Sequence, residues 1–579
     1  MKFFLVLKMV VLLVCLPQVY AQKSFSLGKG DKLKLETQGL KIGVLSNPSQ
    51  VVHIDEAGGI YMAYSKFQAK RVSDAKNNLY FEWDEELEIR DRYSRDRQYL
   101  AYFSPNGKVK EKNKVKIKDK RQFLSFFHDG EKIYLLSYFA NSDKQKVYFF
   151  REEIDMKTLK VKHESIKPIF AFDLPSDNLK GNDLVFNYRE NKDSEPRFMV
   201  HMLNGKYDKK LAFSHSVASI DKSFNVVWKH DLIKTDLTKW EHYSFDIKEF
   251  DENGNLFLKT VEHPDLKPQS KVEELNSSNG RDFFGDYVCK LFVFYSKEDE
   301  STYDEHVIEL PNGHKTGRFN VVSEKDNSGR FRILGSYSDF DYEFTKGFFI
   351  LDGQIGEELE SSQASLIELD LEIFLEVFRT SAGYASSIYS NDIEAESVED
   401  EAVDLRFNSV FNHSDGSMTF VVEAIKKFKV RRESKAINAP PTVDYDASMA
   451  IYVFHVDKDG ELSWQHKVPK PNHSFNIIKY GGVIATLSDG KLNLIYGYNK
   501  DNPVNPSQNS SYKSLNHFKK SKYILASFDL DGKASYKKIG IRKDIGGVVK
   551  TGYTYRNDSK AYFFLVDGAK VSVASITEK

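Results

Sequence analysis

Two turns in this chain carry residue types that could bind calcium. Asp457-Lys458-Asp459-Gly460 and Asp529-Leu530-Asp531-Gly532 each place two carboxylates one residue apart, before a glycine. Calcium takes six or more oxygens, and an EF-type loop continues through further acidic positions to a bidentate Glu. Neither turn continues that way. Asp and Gly also suit a tight turn for local reasons, through side-chain capping and a positive φ. Asp457 and Asp529 precede an aromatic residue by seven positions, Trp464 and Tyr536, and Asp221 precedes Trp228 by the same interval. Trp228 and Trp464 each continue as W-x-H, to His230 and His466. On a strand these histidines share a side with their tryptophans, and the large rings are expected to pack between structural units. Without an H-x-x-x-H, H-E-x-x-H or C-x-x-C spacing there is no local support for a metal centre, and no cofactor is implied.

Catalytic motifs are equally sparse, so no catalytic residue is assigned. There is no G-x-S-x-G nucleophile elbow. Ser414-Asp415-Gly416 approaches a sialidase-type turn but lacks its spacing and its tryptophan. The 84 acidic residues leave room for a glycosidase pair, whose two carboxylates would come from different strands. Two stretches suggest ligand binding. The segment 68–97 holds Tyr80, Phe81 and Trp83 with Arg90, Arg92, Arg95 and Arg97, the aromatic-plus-arginine mixture of binding hot spots. Its interleaved Asp84, Glu85, Glu86, Asp91 and Asp96 favour self-pairing on a solvated loop over that binding role. The run KKFKVRRESK at 426–435 supplies Arg431 and Arg432, which could meet an anionic ligand or the acidic stretch 392–404. Trp83, Arg95, Arg431 and Arg432 are therefore the candidate ligand-binding residues.

Composition narrows the class. Of 579 residues, 41% are hydrophobic and 29% charged, as in globular chains, and 43 Phe with 31 Tyr favour strands. A formal net charge of −1 gives no whole-protein field for nucleic acid. Residues 1–21 read as a signal peptide: Lys2 and Lys8, an apolar core at 9–16, and Val19-Tyr20-Ala21 for cleavage. Later segments lack 18 unbroken apolar residues, so export without a membrane span is expected, to a secreted or periplasmic location. Cys15 would leave with the leader. Cys289, in the apolar run YVCKLFVFY, is then expected to be a buried small hydrophobe.

These residues must be positioned by hairpins. Strand–turn–strand units recur around Gly58, Gly130, Asp193, Gly254, Gly329, Gly416, Gly490 and Asp558, about 71 residues apart (500 residues over seven intervals). Second hairpins fall between them, at Gly107, Lys157, Ser223, Asp299, Gly353, Gly460 and Gly532. Each repeat thus holds two hairpins, or four antiparallel strands. The D-x-D-G turn followed by Trp is similar to repeats of the β-propeller superfamily. That resemblance implies an all-β propeller spanning residues 22–579 as one domain. About eight four-stranded blades are expected, seven being the alternative. The last repeat lacks a hairpin. Residues 571–576 and an N-terminal strand within 32–45 are expected to complete it and close the ring. Ser365–Arg379 fits both a two-residue and a helical period and stays open.

Antiparallel reversal puts every second connection on the same side of the ring. Links at 68–97, 263–287, 360–404, 426–448 and 499–521 would then share one face, with Trp83, Asn276, Arg432 and Asn509. The turns at Gly58, Gly254, Gly416, Gly460 and Gly532 would occupy the other. Long links on a rigid scaffold are where function concentrates. The leading expectation is an exported, non-enzymatic propeller binding a protein or glycan with its long-loop face. The alternatives are a carbohydrate-active enzyme with acidic residues at the channel mouth, or a structural component of the cell envelope.

Overall fold

Gln122–His128 and Ile133–Asn141, QFLSFFH and IYLLSYFAN, show how the sequence dictates the architecture. Aromatic and branched residues fill both strands, and Gly130 takes φ 110° in the turn between them, a conformation that excludes most side chains. A computed structural model describes residues 23–577. It leaves out short breaks and longer stretches including 83–97, 175–183, 205–213, 235–242, 263–287, 370–402, 432–441 and 475–482. The signal-peptide expectation at 1–21 lies outside the described residues.

The fold is all-β. The helical turns among the described residues are the 3-10 segments Pro311–Gly313 and Ser361–Gln363. Strands pair with their sequence neighbours in antiparallel sheets of four, the arrangement of a propeller. We number the sheets by their first strands: Ser46–Ile54, Gln122–His128, Leu184–Asn191, Tyr243–Phe250, Lys315–Ser323, Val403–Asn412, Val483–Ser488 and Val548–Asn557. In the eighth, Lys570–Thr577 pairs antiparallel with Lys34–Leu40, from Leu35↔Ile576 to Leu40↔Val571, and Lys23–Ser26 adds a further strand. First strands of successive sheets neighbour one another throughout, and Val548–Asn557 also neighbours Ser46–Ile54.

The core consists of wedges between adjacent sheets. Phe127, Phe149, Phe186 and Phe198 join the second sheet to the third. Met199, Trp228, Leu258 and Phe294 join the third to the fourth, and Phe348, Phe420 and Phe454 join the fifth to the sixth. Cys289 is buried in the wedge between the fourth and fifth.

Several strand boundaries differ from expectation. Met418–Arg431 and Thr442–Val456 extend into the supposed link 426–448 and pair as far as Arg431↔Thr442, leaving 432–441 between them. Branched and aromatic residues alternate with the charges there, so a basic run is also a strand. Lys70–Ser73 and Leu79–Glu82 form a small hairpin inside 68–97. Ser365–Glu368 is the fourth strand of the fifth sheet, which resolves the start of the ambiguous stretch. Gly353 sits within Gly347–Gln354, where an added Cβ would lie 2.4 Å from the Phe331 ring, and the turn falls at Gly356 instead.

Candidate functional site

The D-x-D-G turns are capped locally. Asp457 Oδ1 accepts hydrogen bonds from the backbone N–H groups of Asp459 and Glu461, both at 2.9 Å, and Gly460 N donates to Asp457 O. Asp529 Oδ1 likewise accepts from Lys533 N at 2.7 Å. The first carboxylate of each turn, Asp457 or Asp529, is committed to turn amides. No group of three or more metal-ligating side chains is assembled among the described residues.

The W-x-H pairs strap sheets together. Trp228 Nε1 donates to Gly254 O at 2.8 Å, and Trp464 Nε1 donates to Leu530 O at 2.9 Å. His230 Nε2 lies 3.1 Å from Thr302 O, and His466 meets Gly532 O at 2.5 Å. Every bond runs from an outermost strand to the next sheet. The Asp-to-aromatic interval thus measures a turn plus the reach to a neighbouring sheet.

A second kind of chemistry lies on the first strands, which neighbour one another from sheet to sheet. Gln50, Ser125, Tyr188 and Glu190, from three successive sheets, form one network. Gln50 Nε2 donates to Glu190 Oε1 at 2.9 Å and to Phe126 O at 3.1 Å. Ser125 Oγ donates to Gln50 Oε1 at 3.4 Å. The Tyr188 hydroxyl donates to Glu190 Oε2 at 3.2 Å. Removal from water, then the neighbouring Glu190 charge, holds the Tyr188 phenol well above its ordinary range, so it stays a donor. Glu190 is therefore a carboxylate cradled by an amide and a phenol.

A second group lies on the fourth sheet. Glu249 accepts from Ser323 N at 2.8 Å and Ser323 Oγ at 2.9 Å, bridging to the fifth sheet. Asp246, with a 63% exposed side chain, pairs with Lys248 Nζ at 2.6 Å. Burial pulls the Lys248 ammonium below its ordinary value, against the pull of Asp246. Glu190, Asp246 and Glu249 are thus carboxylates of adjacent first strands, each with a donor beside it.

Sequence reasoning missed all three; the partners of Glu190 and Glu249 lie 140 and 74 residues away. The available signal was positional: Tyr188 and Glu190 alternate on a strand that opens a repeat. Of the residues it singled out, Arg431 closes the strand Met418–Arg431. Trp83, Arg95 and Arg432 lie outside the described residues, as do Asn276 and Asn509, so the loop-face placement that names them does too.

No protein-family model and no curated protein matches this chain. Solved structures do. An α-L-arabinofuranosidase from Lactobacillus brevis is 10% identical over 58% of this chain and 89% of its own, at a TM-score of 0.25. An endo-arabinase from Bacteroides thetaiotaomicron is 11% identical over 55% and 89%, at 0.19. A fructofuranosidase from Schwanniomyces occidentalis is 9% identical over 94% of both chains, at 0.22. At these values no residue role transfers. The expectation of a non-enzymatic binding scaffold is corrected on this finding: these three structures are enzymes acting on carbohydrate, in line with the alternative reading. A Synechocystis apocarotenoid oxygenase also matches over 87% of this chain, at a TM-score of 0.33.

Proposed function

We propose that this chain is an exported carbohydrate-active enzyme that cleaves glycosidic bonds at the axis of an eight-bladed propeller. The observation that carries it is the gathering of Glu190, Asp246 and Glu249 on adjacent first strands, each with a hydrogen-bond donor in place. Glycoside hydrolysis needs two carboxyl groups. One gives a proton to the leaving oxygen, and the other acts on the sugar carbon directly or through water. Carboxylates, amides and hydroxyls such as Glu190, Gln50 and Ser125 are also the groups that recognise sugar hydroxyls.

The reading of eight blades is supported by the eight first strands that neighbour one another in turn, and the reading of closure by the pairing of Lys34–Leu40 with Lys570–Thr577. Trp83, Arg95, Arg431 and Arg432 are proposed as further glycan contacts. The test uses residues 22–579 on a panel of polysaccharides, with release of reducing ends as readout. Glu190→Gln, Asp246→Asn and Glu249→Gln are compared with the parent protein. Two of the three are expected to lower turnover by roughly 10²–10⁴-fold while keeping the fold. Release of reducing ends at the parent rate by all three variants would overturn the assignment.

A further inference from the structure

The outermost strand of the first sheet, Val109–Lys114, begins a stretch in which lysine occupies every second position: Lys110, Lys112, Lys114, Lys116, Lys118 and Lys120. All six are exposed. Between them, Val115 and Ile117 are buried against Phe126, Ile154 and Leu159. The alternation therefore fixes which side faces solvent, and the lysines stand in single file at about 6.6 Å intervals where the chain is extended. Among the described residues, Lys110, Lys116, Lys118 and Lys120 make no ion pair.

The course of the tract gives it direction. Val109–Lys114 is the last strand of the first sheet and Gln122–His128 the first strand of the second. Residues 115–121 therefore carry the lysines from the rim of the ring towards its axis. The tract ends at Lys120, five residues before Ser125, in the network that holds Glu190.

Lysine on an edge strand also deters edge-to-edge pairing. That role does not explain this comb, because the edge strand Glu300–Val307 carries Glu300, Asp304 and Glu305 instead. With a net charge of −1 over the whole chain, attraction here is local and acts within the ~10 Å screening length at about 0.1 M salt.

We propose that this tract binds a linear anionic glycan, one bearing carboxylate or sulfate groups, and leads it to the axial carboxylates. The tract stands as an anion-binding surface by itself; its assignment to the substrate rests on the carbohydrate-active reading. Single file suits a chain better than the plane of a membrane. A nucleic acid strand carries a charge every ~3.4 Å, about twice as dense as the comb, and no aromatic ring lies between the lysines for bases to stack on.

The test is retardation of the mature protein in native gels containing polygalacturonate, with dextran as the neutral control. Lys110→Gln, Lys116→Gln, Lys118→Gln and Lys120→Gln are combined in one protein, and the four arginine substitutions in another, both checked by circular dichroism. Polygalacturonate is expected to retard the parent and the arginine protein, and the glutamine protein roughly tenfold less at about 0.05 M salt. Equal retardation of the glutamine protein overturns the proposal and leaves the lysines as an edge guard. Tighter lysine-dependent binding of double-stranded DNA or phosphatidylglycerol vesicles overturns the glycan assignment. Lysine-dependent retardation without release of reducing ends from any polysaccharide supports the tract and removes the enzyme reading alone.

Discussion

Acidification should unfold this protein through the paired imidazoles of the third sheet. His201 and His215 lie on adjacent strands with Nε2 of the first 3.1 Å from Nδ1 of the second, both fully buried. Desolvation holds His215 down to about 4, and desolvation plus the second imidazole holds His201 well below its ordinary 6.5. The unfolded chain takes up these protons near 6.5, whereas the folded one does not until the pH approaches 4. Stability is therefore complete above about pH 6.5 and falls as the pH drops towards 4. The gap for His215 alone corresponds to ~3.4 kcal/mol when fully expressed, and to ~2 kcal/mol by about pH 5. His215→Gln keeps a hydrogen-bonding group beside His201 and removes one titration. Urea midpoints at about pH 7 and pH 5 would be compared for both proteins, since other groups contribute equally to each. The variant should lose ~2 kcal/mol less on acidification. Equal losses would refute the assignment of acid sensitivity to this pair.

Three further outcomes follow from packing. Lys470, fully buried, is held by Glu423 and by Ser448 Oγ at 3.2 Å. Glu423→Ala strands that ammonium and should cost ~3–5 kcal/mol by urea unfolding, with Glu423→Leu/Lys470→Met recovering most of it. Trp228→Phe keeps an aromatic ring but loses the bond to Gly254 O and part of the buried indole, and should cost ~2 kcal/mol. Deleting residues 22–46 removes the seven-residue pairing with Lys570–Thr577 and should lower Tm for the whole domain, whereas an unchanged Tm would mean that the ring holds without it.

Repeat spacing made the fold legible. A turn with Gly at positive φ recurs at Gly58, Gly254, Gly416, Gly460 and Gly532 because a tight reversal demands it. Turns of this kind are local, so the sequence displays them. Strand ends are set by partners instead. Thr442–Val456 continues because Met418–Arg431 lies beside it, and nothing within the sequence of either strand marks the limit. Ser365–Glu368 became a strand for the same reason, since Gly347–Gln354 offered an unpaired edge.

The candidate site was hidden by a different cause. Glu190 and Glu249 acquire meaning from what stands opposite them on other sheets. Glu190 is one of 84 acidic residues until Gln50, 140 positions earlier, donates to it. The motifs that stood out, D-x-D-G and W-x-H, did so because their partners are near in sequence or recur with the repeat, and such motifs build scaffold. Contacts between first strands of successive sheets bring together residues that no spacing links, so chemistry collects there while the turns collect pattern. The lysine comb belongs between these two kinds. Its alternation is visible in the sequence, but its course, from the last strand of one sheet to the first strand of the next, follows only from the topology.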